Sequence, residues 1–311
     1  MLFRSDREGN LQWRLAVLPN IKKIVVDSSG NTYVAGSLLR GNPSNTPIAD
    51  DYFTLRNIPT VGEGRVYVAR ISPGGILEWV RRDGGQNIVI DATGLAVDPE
   101  GNYCLSGYYT RGGAAILGDI QLPAAAPPTS PFVAPQNVFL ARYSSAGELR
   151  WVRVGESLSD YTYSGVKMDS SGSIILSGYS SSGQISFDDI ALNFPRDFLI
   201  KFDREGQPVW SREDGAGIGA THGRVDFDLD SHGNILMAKR LADYSFTVTK
   251  ISREGGLIWT RPVWSGETVV DWHIRIGVRG LAVAADGSFA LSGTFSGTGL
   301  SIGDTNLEFP Y

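Results

Sequence analysis

The chain alternates short runs of apolar and polar residues with glycine-centred turns. Val66–Trp79, VYVARISPGGILEW, is typical: a strand ending in the basic Arg70, turn chemistry at Ser72-Pro73-Gly74-Gly75, and a second strand carrying Trp79. The same unit recurs as LFRSDREGNLQW ending at Trp13, LARYSSAGELRW at Trp151, IKFDREGQPVW at Trp210 and VTKISREGGLIW at Trp259. Each copy has a glycine four residues before the tryptophan (Gly9, Gly75, Gly147, Gly206, Gly255). Each also has a Lys or Arg nine residues before it (Arg4, Arg70, Arg142, Lys201, Lys250). A hairpin of this size cannot bury its apolar face alone, so neighbouring copies must cover it.

A second hairpin alternates with the first: VVDSSGNTYVAG at 25–36, AVDPEGNYCLSG at 96–107, KMDSSGSIILSG at 167–178, DLDSHGNILMAK at 228–239 and the shorter VAADGSFALSG at 283–293. Four copies carry an aspartate three residues before the turn glycine (Asp27, Asp98, Asp169, Asp230), where a carboxylate accepts hydrogen bonds from turn N–H groups. The fifth has Ala284 there and Asp286 displaced. Two hairpins per repeat make four antiparallel strands, and such a sheet repeated around an axis is a β-propeller blade. The expected fold is therefore all-β: one domain over residues 1–311, a five-bladed propeller with repeat units ending near Trp13, Trp79, Trp151, Trp210 and Trp259. The chain opens on the outer hairpin of a blade and ends on the inner one. The fifth blade is thus expected to be shared by both termini, closing the ring and removing its free edge.

GNTYVAG, GNYCLSG, VFLARYSSAGELRWVR and FLIKFDREGQPVWSR carry a resemblance that covers essentially the whole chain. They resemble the bacterial β-propeller repeats of the seven-bladed type, and the quinoprotein-like repeats whose outer strand has a similar glycine–tryptophan pair. The chain departs in having five repeats, and in Lys239 where other copies have glycine. The resemblance implies a bacterial propeller of secreted or cell-surface type and no defined activity. The quinone-binding residues of quinoprotein dehydrogenases match no position here.

Composition narrows the classes. The 38 glycines, the many aromatic and β-branched residues and the lack of long 3.6-period apolar stretches fit an all-β chain. The net charge of −5, spread along the sequence, does not suit a nucleic-acid partner. No apolar run reaches the roughly 20 residues of a membrane-spanning helix, so no membrane insertion is expected. Met1-Leu2-Phe3 leads straight into a repeat, which reads as no signal peptide. The one cysteine, Cys104, sits in the strand NYCLSGYY and reads as a small buried hydrophobe.

Strand direction places the short turns of both hairpins on one face of the ring. The connections between second and third strands (38–65, 108–137, 179–197) and those between repeats fall on the other. The former are long and unlike one another, and 108–137 contains the proline-rich AAAPPTSPFVAP. Variable loops on a rigid scaffold are where binding sits, so this face is the expected site. Three of these connections share a hairpin pattern (AILGDIQLP, ISFDDIALNFP, LSIGDTNLEFP) with Gly118-Asp119, Asp188-Asp189 and Gly303-Asp304 at the turn. Solvated turn chemistry explains Asp119, Asp188, Asp189 and Asp304; calcium is the alternative. Counting back from the aspartate turns puts Lys22, Asp91, Tyr161, Tyr163, His222, Arg224, Trp272, His273 and Arg275 at or near the channel mouth. Aromatics beside charged groups there suit sugars or polar peptides. The five repeated basic residues read as ion pairs with nearby acids, and the five repeated tryptophans as inter-blade packing.

Motifs for catalysis are sparse: no HExxH, no Cys/His cluster, no G-x-S-x-G and no P-loop. The expectation is a non-catalytic binding or scaffolding propeller, without a resident cofactor, that recognises a glycan or a protein through its long-loop face. A carboxylate glycosidase or related hydrolase is the alternative; it would need two acids at a set separation, drawn from Asp91, Asp160, Asp226 and Asp271. A structural subunit of a surface assembly is a third. The ligand and the oligomeric state are not encoded in any pattern.

Overall fold

The computed structural model describes residues 2–15, 18–37, 60–61, 64–85, 88–110, 113–127, 135–158, 162–180, 185–187, 190–192, 197–213, 226–240, 246–264, 277–294, 299–302 and 305–308. Every described element of regular structure is a strand. In chain order, β1 is Leu2–Ser5 and β2 Leu11–Leu15. The first complete unit follows: β3 (Ile21–Val26), β4 (Thr32–Ser37), the short β5 (Thr60–Val61), β6 (Val66–Ile71) and β7 (Leu77–Asp83). The second has β8 (Ile90–Val97), β9 (Tyr103–Thr110), the small hairpin β10 (Ile116–Leu117) and β11 (Ile120–Gln121), then β12 (Gln136–Tyr143) and β13 (Leu149–Ser157). The third has β14 (Thr162–Met168), β15 (Ile174–Ser180), the hairpin β16 (Ile185–Phe187) and β17 (Ile190–Leu192), then β18 (Asp197–Phe202) and β19 (Pro208–Glu213). The fourth is β20 (Asp226–Leu229), β21 (Ile235–Arg240), β22 (Phe246–Ile251) and β23 (Leu257–Trp264). Last come β24 (Gly277–Val283), β25 (Phe289–Thr294), β26 (Gly299–Ile302) and β27 (Thr305–Glu308).

Four consecutive antiparallel meanders result: β3-β4-β6-β7, β8-β9-β12-β13, β14-β15-β18-β19 and β20-β21-β22-β23. Their first strands stand side by side in chain order, β3 by β8, β8 by β14, β14 by β20, and β20 by β24. This is a β-propeller-like arrangement. β1–β2 and β24–β25 each form a separate two-stranded sheet. The first packs on the first complete unit, where Leu2 and Trp13 join Val34, Tyr67 and Ile71. The second packs on the fourth, where Leu281, Val283 and Leu291 meet Leu236, Ala238 and Val248.

Register repeats from unit to unit. The basic residue lies directly opposite the tryptophan in all five outer hairpins: Arg4↔Trp13, Arg70↔Trp79, Arg142↔Trp151, Lys201↔Trp210 and Lys250↔Trp259, each beside a bulge. The same residue pairs on its other side with the position three after the turn glycine: Tyr33↔Arg70, Cys104↔Arg142, Ile175↔Lys201 and Leu236↔Lys250.

The aspartate turns are built as expected. Asp27 Oδ1 accepts from the N–H groups of Ser29 and Asn31 at 3.0 and 2.8 Å, and the N–H of Gly30 donates to the Asp27 carbonyl at 3.0 Å. Gly30 sits at φ 82°, a backbone conformation that costs other residues a clash with their own Cβ. The repeated basic residues then return to these turns. Arg142, Lys201 and Lys250 pair with Asp98, Asp169 and Asp230 of their own units, at 2.9, 3.6 and 2.9 Å. Arg70 differs: its guanidinium pairs with Glu78 at 3.3 Å and lies over the Tyr33 ring.

Between units, apolar side chains and a bracket of polar contacts make the joint. Tyr103 and Tyr143 stack 4.8 Å apart at 9°, with Trp79 and Tyr33 alongside, joining the first and second units. β2, β7, β13 and β19 each also reach the turn of the next outer hairpin. The indole Nε1 of Trp13 donates to the Pro73 carbonyl at 3.0 Å, that of Trp151 to Arg204 at 3.1 Å and that of Trp210 to Arg253 at 3.1 Å. Two residues beyond the tryptophan, Arg81, Arg153 and Arg212 donate to the carbonyls of Gly147, Gly206 and Gly255 at 2.5, 2.8 and 3.0 Å. The tryptophans are half-buried at the outer rim of the joints, and Trp13, Trp151 and Trp210 cover the next unit's glycine turn.

Candidate functional site

The long connections fold back as clasps. β10–β11 closes through the two-residue turn Gly118-Asp119, with Leu117 opposite Ile120. It is fastened to the preceding unit: the N–H of Gly84 donates to the Ile116 carbonyl at 2.7 Å, and the N–H of Gly118 to Asp83 Oδ1 at 2.8 Å. Asp83 is itself held by Arg81 at 2.8 Å and by the Tyr143 hydroxyl at 3.0 Å. β16–β17 does the same one unit on, with β16 pairing along the end of β13 (Gly155↔Phe187, Ser157↔Ile185). β26–β27 is a third hairpin of this type and lies against β23. Three of the sequence's variable loops are thus inter-unit fasteners in their first halves. Asp119 occupies an exposed turn position; Asp188, Asp189 and Asp304 lie outside the described residues. Among the described residues no three of His, Cys, Asp and Glu gather as a metal site.

Beside the second clasp, a cavity of about 350 Å³ opens between the proline-rich segment and β16–β17. Ala124 and Ala126 form one wall and Ala191 and Leu192 the other, with Glu156 and Leu158 at the end of β13. Leu122 and Ala125 anchor the proline-rich wall in the core. The polar floor is tied to the scaffold. Asn137, buried, donates to the Tyr109 hydroxyl at 3.3 Å and accepts from the N–H of Ser157 at 3.2 Å. Glu156 is the one carboxylate among the lining residues.

At the channel mouth, two of the anticipated residues meet. Lys22 Nζ lies 3.1 Å from Asp91 Oδ2, and the Ser37 hydroxyl donates to Asp91 Oδ1. Bulges between Ile21 and Lys23 and between Ala92 and Gly94 put Lys22 and Thr93 out of the ladder, and Thr93 reaches Ser164 at 3.0 Å. Tyr163 lies on β14 opposite Tyr179. Tyr161, His222, Arg224, Trp272, His273 and Arg275 lie outside the described residues, as do Asp160 and Asp271. Asp91 is committed to a lysine and a hydroxyl.

A second pair on the inner strands was not anticipated. Lys167 lies 2.7 Å from Asp228, whose other oxygen accepts from the N–H of Val283 at 3.0 Å. Both residues stand two before their turn aspartates, Asp169 and Asp230. Equal offsets on neighbouring inner strands put them side by side, which is the signal that would have found them.

No family model and no curated protein matches the sequence. Three solved structures are similar in shape. One is a protein of unknown function from Bacteroides caccae (TM-score 0.42, 12% identity, 74% of this chain and 62% of that one). The others are the Hadza microbial sialidase Hz136 (0.42, 15%, 78% and 46%) and the Dos1 propeller (0.43, 10%, 96% and 70%). The chain spans less than two-thirds of the length of the first two. Among the described residues no helix is long and apolar enough to cross a membrane.

Proposed function

We propose that the protein is a non-catalytic binding or scaffolding module, a five-bladed propeller that engages a glycan or a protein partner through the face bearing its long connections. The fifth blade is assembled from β24–β25 and β1–β2. The cavity between the proline-rich segment and β16–β17 carries the reading: it is concave, opens on that face, and is walled by elements anchored in the core. Its lining of small apolar side chains, an exposed Leu158 and a single carboxylate suits recognition. Glycosidic hydrolysis by the usual route would call for two carboxylates.

A glycan array and a peptide array, each read with and without calcium, test this. Binding that is lost on Leu158→Asp supports the cavity as the site. Binding that disappears only on chelation moves the site to the aspartate turns. Binding unaffected by Leu158→Asp but lost on Lys22→Ala places it at the channel mouth. Turnover of chromogenic glycosides, abolished by Asp91→Asn, would replace the binding module with the hydrolase.

A further inference from the structure

The cavity beside the second clasp has a defined chemistry. A row of its lining crosses three strands: Glu156 on β13 lies opposite Ser186 on β16, and Ser186 lies opposite Ala191 on β17. The row reads carboxylate, hydroxyl, methyl. The two sides of the cavity are locked together. The Tyr109 hydroxyl donates to the Pro123 carbonyl at 2.8 Å and accepts from Asn137 Nδ2 at 3.3 Å. Asn137 Oδ1 in turn accepts from the N–H of Ser157 at 3.2 Å. One chain of hydrogen bonds thus runs from the proline-rich wall to the residue beside Glu156. A site held in this way loses little freedom when a ligand enters.

Glu156 stands apart from the other acids of the outer hairpins. Glu8, Glu148, Glu205 and Glu254 each pair with a nearby arginine, and Glu78 pairs with Arg70. Asp83, near the end of β7, is taken up by Arg81, Tyr143 and the N–H of Gly118. Among the described residues the Glu156 carboxylate has neither an ion pair nor a hydrogen bond, and no basic side chain lines the cavity. Its charge is uncompensated and is bordered by small apolar walls. The volume of about 350 Å³ is at the small end of ligand sites, which run from roughly 300 to 1,000 Å³, so there is room for one long side chain. No aromatic ring lines the cavity, so the π-face on which the C–H groups of a sugar pack is missing. A methylene stem ending in a cation matches both features, because long basic side chains lay their stems on apolar surface and keep the head at polar groups. A guanidinium has five donors in a planar fork, enough for both oxygens of Glu156 and for the Ser186 hydroxyl.

We infer that the cavity receives an arginine side chain of a protein partner, with Glu156 as its counter-ion and Ala126, Leu158 and Ala191 along its stem. The inference rests on the reading of this cavity as the recognition site, and it decides the ligand class there in favour of a peptide segment over a glycan.

A library of acetylated, amidated octapeptides, randomised at every position, is panned on the immobilised full chain, and the selected peptides are titrated against the protein in solution. Arginine is expected at one fixed position. Citrulline there, which keeps the shape and removes the charge, is expected to weaken binding about tenfold, a factor that corresponds to about 1.4 kcal/mol. Glu156→Gln is expected to weaken the arginine peptide by a similar factor and to leave the citrulline peptide unchanged. Glu156→Lys should reject the arginine peptide and accept its glutamate counterpart, a gain of binding that a misfolded variant would not show. Selected peptides without arginine, arginine peptides indifferent to Glu156→Gln, or no selected peptide at all would overturn the inference. Ala191→Trp, which fills the cavity, separates this failure from that of the underlying reading. Ligands lost on Ala191→Trp but indifferent to Glu156→Gln leave the cavity as the recognition site and remove only the cation. Ligands indifferent to both variants remove the cavity as well.

Discussion

Arg142 and Asp98 form a sealed ion pair: the guanidinium lies 2.9 Å from the carboxylate, with side-chain exposures of 5% and 2%. The same guanidinium donates to the Gly172 carbonyl of the next unit at 2.9 Å. One side chain therefore neutralises its own unit's turn and grips its neighbour's. Removing one partner leaves the other charge buried and unpaired. Arg142→Met is expected to cost about 3–5 kcal/mol in chemical unfolding. Arg142→Met combined with Asp98→Leu should recover much of that loss, because no charge is then stranded. A double variant as unstable as the single would show that the Gly172 contact matters more than the ion pair.

Asp230 sets a limit on acid stability. Burial raises its carboxyl, but hydrogen bonds from Lys250, from the Asn234 side chain and from the N–H groups of Asn234 and His232 outweigh that and bring it down to about 2. The folded value lies below the unfolded one, near 4. Its stabilisation is thus fully present above about pH 4 and lost as pH falls towards 2. It amounts to roughly 2 kcal/mol at neutral pH. Asp230→Asn should lower the melting temperature at pH 7 and close the gap to wild type at pH 2. An equal gap at both values would assign the effect to turn geometry rather than to charge.

The repeat was legible because its signals are local and recur. A glycine at positive φ marks every turn of the scaffold, an aspartate three before it marks four of the inner turns, and a tryptophan opposite a basic residue marks each outer hairpin; the hairpins at Gly118-Asp119 and its counterparts followed from turn chemistry. What the long loops do was not legible. The pairing of β16 with β13 joins residues of different units, and the turn of β10–β11 is held by Asp83, far back in the chain. Neither leaves a periodic trace. The Lys22–Asp91 contact was anticipated only as two residues near one mouth, since the bulge that puts Lys22 out of the ladder has no signature in its neighbours.

Cys104 should be chemically silent. It is fully buried between the second and third units, and burial pushes its thiol up to about 12. A maleimide at pH 7.5 is expected to leave the native protein unlabelled and to label it rapidly in denaturant. Labelling at native pH that follows the rate of global unfolding would fit; rapid labelling without denaturant would mean that the joint opens locally.

The bracket makes a graded prediction for its glycines. Gly206 is at φ 80°, and a Cβ there would sit 2.8 Å from the Trp151 ring. Gly206→Ala therefore pays twice, about 1 kcal/mol or more for the left-handed backbone and about 1–3 kcal/mol for the crowded indole. Gly287, at φ 85° with nothing within 4 Å, pays only the first. Gly9 tests whether the proposed fifth blade meets the fourth unit, where Trp259 stands at the same repeat position as Trp151. With its turn uncovered, Gly9→Ala behaves like Gly287→Ala. With Trp259 seated on it, the substitution costs as much as Gly206→Ala, and Trp259→Ala in the same chain relieves the excess. Urea unfolding of the three alanine variants and the Gly9→Ala/Trp259→Ala pair measures this; a Gly9→Ala cost equal to that of Gly287→Ala means the indole never reaches the turn.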